Sequence, residues 1–142
     1  MNVNPRLSLW QQISLVAAAL LFLSAGIVHF RATDAFAAIV PPFVPNPRLA
    51  VYGSGVAEIC GAIGLLLPSL RKYAAWGLIA LLIAVFPANI YMATANVQVT
   101  GRPLPRWVLY ARLPLQALLV YWIAYIGLPP ARKAATRTTQ RP

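Results

Sequence analysis

Five polar side chains lie inside long apolar stretches, and they are the residues whose types could do chemistry. Glu58 is a carboxylate within LAVYGSGVAEICGAIGLLLP (49–68), and His29 is the one histidine. The other three are Asn89, Arg112 and Gln116. A carboxylate and an imidazole exchange protons, whereas a guanidinium and two amides hold the polar atoms of a ligand. Such groups are costly inside a membrane and are tolerated there for a partner or a function.

Four apolar segments carry these residues. A bilayer core about 30 Å thick needs roughly 20 helical residues per crossing, and the predicted spans are 9–30, 49–70, 74–95 and 107–128. Short connections make neighbouring helices antiparallel. The sequence therefore predicts an all-α membrane protein with one transmembrane domain over 1–130, folded as an antiparallel four-helix bundle. Residues 131–142 are predicted to form a basic, disordered cytoplasmic tail.

Composition and charge agree with a membrane protein. The chain is 60% hydrophobic and 10% charged, with a formal charge of +10, against about 25% charged residues in soluble domains. The basic residues lie between and beyond the apolar runs rather than along one face, which argues against nucleic acid and for lipid headgroups. More of them flank one side of the predicted bundle, so both termini are predicted to be cytoplasmic.

The first span and the single cysteine each allow two interpretations. Arg6 precedes an apolar core followed by small residues at 24–26, as in a secretion signal, yet the run continues to residue 30 and three spans follow. We therefore predict a retained membrane helix rather than a cleaved signal. Cys60 cannot form an intrachain disulfide, and we predict that it is a small buried side chain. No spacing typical of a metal site is present in the sequence.

The connection RATDAFAAIVPPFVPNPR (31–48) is too apolar for open water. Thr33 or Asp34 is predicted to cap a short helix that runs to residue 39 or 40, where Pro41 and Pro42 would end it. We predict that this segment is an interfacial cap over the outer end of the bundle.

The five polar residues are predicted to lie at similar depth. At 1.5 Å per residue, Glu58 and Gln116 are ~14 Å from the outer ends of their helices, and Arg112 is ~8 Å from its own. Asn89 is ~9 Å deep by the same rise, and His29 is near the outer end of the first span. All five therefore fall in the outer half of the membrane, where Glu58 shares a helix face with small residues that let helices approach closely.

Two readings of this cluster remain open. In the functional reading it is one ligand site, in which Pro87 and Pro114 kink their helices and free the carbonyls of Ile83 and Tyr110. In the structural reading, Glu58 and Arg112 form a buried ion pair, and Asn89 and Gln116 form an interhelical hydrogen bond.

Several short motifs together resemble the DoxX family over about residues 29–122. They are HF at 29–30, IVPPFVPNPRL at 39–49, Y-x-SG-x-x-E-x-x-G at 52–61, GLLLP at 64–68, VFPANIYMA at 85–93 and RLPLQ at 112–116. The resemblance implies a multi-pass protein of the bacterial inner membrane with four helices. It also implies redox membrane complexes as partners, including thiosulfate:quinone oxidoreductase. The disulfide handling of the related MauE group is not carried over, because this chain lacks paired cysteines.

The motifs of the resemblance contain all five candidate residues, namely His29, Glu58, Asn89, Arg112 and Gln116, so it implies one ligand-binding site. The sequence assigns no reaction and no oligomeric state. We therefore keep three hypotheses: a pocket for a lipophile such as a quinone, with Glu58 and His29 as the candidate catalytic groups; a non-catalytic membrane subunit or assembly factor; and, as the weakest, small-solute transport.

Overall fold

The computed structural model describes residues 7–95 and 105–128, and every regular element within them is a helix. In chain order the helices are α1 (Leu9–Arg31), α2 (Thr33–Ala37), α3 (Pro47–Leu66), α4 (Arg71–Ala95) and α5 (Arg106–Gly127). The predicted tail at 131–142 and most of the connection between α4 and α5 lie outside the described residues.

Four of these helices are long and apolar enough to cross a membrane, namely α1, α3, α4 and α5. Their outer surfaces expose large apolar side chains such as Leu20, Ile63 and Leu118. Contiguous apolar surface on this scale is unfavourable in water and favourable against acyl chains. The prediction of an all-α protein with four membrane-length helices is confirmed.

The start of each of the first two long helices is fixed by a side-chain cap. The Ser8 hydroxyl accepts the Gln11 backbone N–H at 3.3 Å, and the Gln11 side chain accepts the Ser8 N–H at 3.0 Å. This reciprocal capping box begins α1 at residue 9, as predicted. At α3 the Asn46 side chain accepts the Leu49 N–H at 3.1 Å, and Pro47 takes the first helical position. The helix therefore begins before the predicted residue 49.

The turn between α3 and α4 comes earlier than predicted. The span 49–70 was predicted to be continuous, but α3 ends at Leu66, and Leu67 has an extended ψ of 114°. Pro68 explains this, because a proline disfavours the helical conformation of the residue before it. α4 then begins at Arg71 rather than at residue 74, and the Arg71 side chain donates to the Leu65 carbonyl at 3.0 Å.

The connection after α1 contains the short helix α2, but its predicted cap and end are wrong. Its N-cap is Ala32, which makes no side-chain hydrogen bond, and the helix ends at Ala37. The Thr33 hydroxyl instead donates backward to the His29 carbonyl at 2.9 Å, so it extends the end of α1. An exposed ion pair of 2.7 Å between Asp34 and Arg48 joins α2 to the start of α3.

The buried apolar side chains form two separate clusters. The larger joins residues 15–22 of α1 and the first half of α4 to the second halves of α3 and α5, and includes Phe22, Leu65, Leu78 and Ile123. The smaller holds Ile39 of the connection against Met92 and Ala93 of α4 and Leu109 of α5. Neither cluster includes a buried residue from 83–91 of α4 or 110–122 of α5.

α1 and α3 approach most closely where two glycines meet. A Cβ built on Gly26 would lie 2.8 Å from the Gly55 carbonyl oxygen, and one built on Gly55 would lie 3.0 Å from the His29 Cβ. Only the absence of side chains at both positions permits this distance. The contact brings the end of α1, which carries His29, against the middle of α3, which carries Glu58.

Candidate functional site

A cavity of about 730 Å³ is lined by all four long helices and by the connection between α1 and α3. The lining is mostly apolar, with side chains such as Leu82, Val85 and Leu119 from the helices and Ile39 and Phe43 from the connection. All five sequence-predicted residues line it, namely His29, Glu58, Asn89, Arg112 and Gln116. The structure therefore brings the candidate set to one cavity, and their ligand-binding role stays a prediction.

His29 and Glu58 form the pair that links α1 to α3. The His29 Nδ1 lies 3.1 Å from the Glu58 Oε2, and each side chain is 14% exposed. The His29 ring also stacks on Phe36, with ring centroids 4.2 Å apart. Phe36 of the connection therefore restricts the imidazole by stacking on its ring. The close contact of α1 with α3 holds the same ring against Glu58.

One oxygen of Glu58 lacks a hydrogen bond despite this short distance. The His29 Nδ1 is also 2.9 Å from the Ala25 carbonyl oxygen. Because a carbonyl only accepts, Nδ1 carries the ring hydrogen, and that hydrogen is directed to Ala25. The Glu58 Oε2 is buried and has no hydrogen-bond partner within the described residues. A buried acceptor of this kind is costly unless another donor reaches it.

On the other side of the cavity, two amides link α4 to α5. The Asn89 side chain donates to the Gln116 oxygen at 2.8 Å, and the Gln116 amide donates to the Leu82 backbone carbonyl. Gln116 is only 5% exposed, so both ends of its amide are satisfied by protein. The predicted interhelical bond between Asn89 and Gln116 is present.

Arg112 has no carboxylate partner. Its Nη2 lies 3.5 Å from the Asn89 Oδ1, at the limit of a hydrogen bond. The sequence contains two acidic side chains; Asp34 pairs with Arg48, and Glu58 lies against His29. No side-chain carboxylate therefore remains for Arg112, whose guanidinium lines the cavity.

The predicted ion pair between Glu58 and Arg112 is wrong. Among the ion pairs of residues 7–95 and 105–128, the Glu58 carboxylate is paired by distance with His29 alone, at 3.1 Å and without a hydrogen bond. The glycine contact explains the difference, because it holds α1 directly against the Glu58 turn of α3. The Glu58 carboxylate therefore lies against the imidazole of α1. The Arg112 guanidinium of α5 lines the cavity without a carboxylate beside it.

One smaller prediction changes and another stays open. The Gln116 amide donates to the Leu82 carbonyl, one residue before Ile83, and the freeing of the Ile83 and Tyr110 carbonyls by Pro87 and Pro114 stays a prediction. Cys60 is exposed on the outer surface of α3 rather than buried, because the helix turns Gly55, Gly61 and Glu58 toward the other helices and leaves Cys60 on the opposite face.

Sequence reasoning missed the residues that orient the site. Phe36 stacks on the His29 ring, and the Ala25 carbonyl accepts the hydrogen bond from the His29 Nδ1. Ile39, Val40, Phe43 and Val44 complete the cavity wall from the connection. The available signal was the apolar character of that segment, which indicated burial but not the helix against which it packs. No group of three or more metal-ligating side chains occurs in the described part of the chain.

We predict that Gln116→Leu destabilises the fold by about 1–3 kcal/mol, because the substitution strands the Asn89 donor and the Leu82 carbonyl in a buried place. The measurement is thermal unfolding in mild detergent. Gln12→Leu is the matched control, since Gln12 is exposed and bonds only to Leu7 of its own segment. Equal stability of both variants would show that the amide bridge contributes nothing.

Comparison with known proteins gives a family but no function. A family model described as a domain of unknown function, DUF8561, matches residues 17–127, which is more than half of the chain. No curated protein and no solved structure matches the chain. The resemblance to the DoxX family remains a prediction.

Proposed function

The chain belongs to the DUF8561 family, and we propose that its cavity binds a lipophilic ligand whose head group carries oxygen atoms, such as a quinone. The observation that carries this proposal is that two charged side chains, Arg112 and Glu58, line one apolar cavity and lack a charged hydrogen-bond partner in the described part of the chain. Arg112 has no carboxylate partner, and the Glu58 Oε2 has no donor within the described residues. A ligand that offers both an acceptor and a donor would satisfy both groups.

The size and lining of the cavity suit such a ligand. Small-molecule sites have volumes of about 300–1,000 Å³, with apolar walls and a few convergent polar groups. The volume of about 730 Å³ falls in this range, and the polar groups are concentrated on His29, Glu58, Asn89, Arg112 and Gln116. An apolar ring and tail would contact the leucine and valine walls, and the head would meet the polar groups.

Each polar group of the cavity would bind a different part of the ligand head group, according to its hydrogen-bonding chemistry. The Arg112 guanidinium donates only, so it takes a carbonyl or phenolate oxygen. The Glu58 carboxylate lines the cavity and accepts the hydrogen of a ligand hydroxyl. His29 keeps its hydrogen on Nδ1, which leaves Nε2 as the proton acceptor of the ring. Glu58 and His29 together would take up a proton that a reduced ligand releases.

The proposal includes the arrangement of the chain in the membrane. We propose an antiparallel four-helix bundle in a bacterial inner membrane, with both termini cytoplasmic and the connection between α1 and α3 as an interfacial cap. The basic residues that flank the spans support this orientation. The resemblance to the DoxX family supports a place in a redox-linked assembly.

Ligand binding in mild detergent tests the proposal directly. The purified protein is extracted with solvent to detect bound lipophiles, and its thermal stability is measured with a short-chain quinone and with the corresponding tail alcohol. We expect stabilisation by the quinone and none by the alcohol. Absence of any bound lipophile, together with equal thermal curves, would remove the proposal.

We predict that Glu58→Gln changes the preference of the cavity for the reduced ligand. The carboxylate accepts a hydroxyl hydrogen more strongly than an amide does, by roughly 1.5 kcal/mol. The variant should therefore lose about tenfold in affinity for a hydroquinone and little for the quinone. Titration calorimetry with both redox forms measures this. Ser54→Ala is the control, because that cavity-lining hydroxyl already donates to the Ala50 carbonyl at 2.9 Å.

A second function is favoured by the bond between α4 and α5. Asn89 and Gln116 satisfy one another and the Leu82 carbonyl without any ligand. This supports a non-catalytic membrane subunit or assembly factor whose polar groups hold its helices together. In that case Arg112→Leu lowers stability and the recovery of a constant partner in parallel, with no change in any bound lipophile.

A further inference from the structure

A second, separate pocket of about 300 Å³ lies where α1 ends and α3 begins. It does not include any of the five residues of the cavity. Its polar lining comes from Arg31, Thr33, Asp34, Arg48 and Tyr52. Arg31 is the last residue of α1, and Arg48 is in the first turn of α3. If these helices cross a membrane, their ends lie at the depth of the lipid headgroups.

The charges of this pocket are not balanced. Asp34 pairs with the Arg48 Nη2 at 2.7 Å, and the other acidic side chain, Glu58, lies against His29 at the main cavity. Arg31 therefore has no side-chain carboxylate to pair with, and the pocket keeps a net positive charge. The pocket thus presents two guanidinium groups and a phenol to one space, with a single carboxylate between them.

An apolar surface continues from this pocket along both helices. The Phe30 and Tyr52 rings stack with centroids 5.7 Å apart, which places them on the same side of the contact between α1 and α3. One turn further along each helix, Ile27 and Val56 are exposed. A cationic pocket above an exposed apolar seam matches the shape of a phospholipid, which has a phosphate above its acyl chains.

We infer that Arg31, Arg48 and Tyr52 bind the phosphate of a membrane phospholipid whose acyl chains lie along the seam of Ile27, Phe30 and Val56. Arginine suits this role because its planar guanidinium donates two parallel hydrogen bonds to phosphate oxygens. Asp34 competes with the phosphate for Arg48. The site is independent of the lipophile in the main cavity.

The test is a titration of the full chain in mild detergent with dihexanoyl phosphatidylglycerol, at low ionic strength. We expect saturable binding, which Arg31→Gln weakens about tenfold through loss of a charged hydrogen-bond donor. Arg31→Lys should retain part of the affinity. Asp34→Asn should tighten binding by about two- to fivefold, because it removes the exposed ion pair that competes with the phosphate for Arg48. Arg106→Gln is the matched control, because Arg106 is exposed at the start of α5 and lies outside the pocket.

Two further probes identify the source of the phosphate. Dihexanoyl glycerol has the same tails without phosphate, and we expect it not to bind. Inorganic phosphate lacks the tails, and we expect it to bind far more weakly than the lipid. Equal binding of inorganic phosphate would overturn the lipid assignment, and equal binding of dihexanoyl glycerol would overturn the role of the arginines. Equal losses in Arg31→Gln and Arg106→Gln would show only general charge attraction.

Discussion

Arg112→Leu should reduce the affinity of the cavity for a quinone by roughly one hundredfold, since a hydrogen bond to a charged group contributes about 1.5–3 kcal/mol. Arg112 is the one arginine or lysine among the described residues that line the cavity, so no neighbour can replace its charge. In an apolar space the loss is greater than it would be in water. Titration calorimetry of the purified protein in mild detergent measures the change.

The variant should remain folded, which separates ligand recognition from stability. Arg112 has no carboxylate partner and only a 3.5 Å contact with Asn89, so leucine removes little from the protein's own bonding and adds apolar surface to a membrane helix. We expect thermal unfolding of the unliganded variant within about 1 kcal/mol of the native chain. Arg112→Lys should restore part of the affinity. A quinone that binds Arg112→Leu and the native chain equally would exclude this residue as the ligand's partner.

The four long helices could be predicted from the sequence because apolar length is a local property. The apolar run also placed the start of α1 at residue 9, where the Ser8 capping box begins the helix. The end of α3 was predictable from Pro68 but was missed, because the apolar residues through Leu70 outweighed the proline in a count of span length. Local signals therefore suffice for the four long helices and for those ends that a cap or a proline marks.

The arrangement of the polar side chains around one cavity was also predictable, but the partner of Glu58 was not. A rise of about 1.5 Å per residue gives height along a helix, and the five side chains predicted to lie in the same half of the bundle do line one cavity. Height does not specify which helix lies opposite. Glu58 could face the arginine of α5 or the histidine of α1. It faces the histidine because Gly26 and Gly55 allow α1 and α3 to contact each other directly.

The contribution of the connection was likewise beyond sequence reasoning. Its apolar character predicted burial, but the stacking of Phe36 on His29 depends on how the chain turns after α1. That turn is made by Ala32, whose backbone is neither helical nor extended, and by the Thr33 hydroxyl, which bonds backward instead of capping α2. Neither feature has a distinctive residue pattern.

Gly26→Ala should have the second large effect, because it disrupts the contact between Gly26 and Gly55 that holds α1 against α3. The new Cβ would meet the Gly55 carbonyl oxygen at 2.8 Å and the Glu58 Cβ at 3.3 Å. The Gly55 oxygen belongs to the backbone and cannot rotate away, so α1 and α3 must separate. Overpacking of this kind costs about 1–3 kcal/mol, which exceeds the gain of up to about 1 kcal/mol from replacing a helical glycine by alanine.

Separation of α1 from α3 also moves His29 away from Glu58, so Gly26→Ala should lose ligand affinity as well as stability. Gly64→Ala distinguishes the two effects, because its Cβ would lie 2.7 Å from the Ala74 Cβ at the turn between α3 and α4, far from the pair. It should lower the unfolding temperature and leave quinone affinity unchanged. Gly53→Ala meets nothing within 4 Å and should be neutral or slightly stabilising. If Gly26→Ala and Gly64→Ala lose affinity equally, the glycine contact has no special role, and the position of His29 against Glu58 depends on general packing instead.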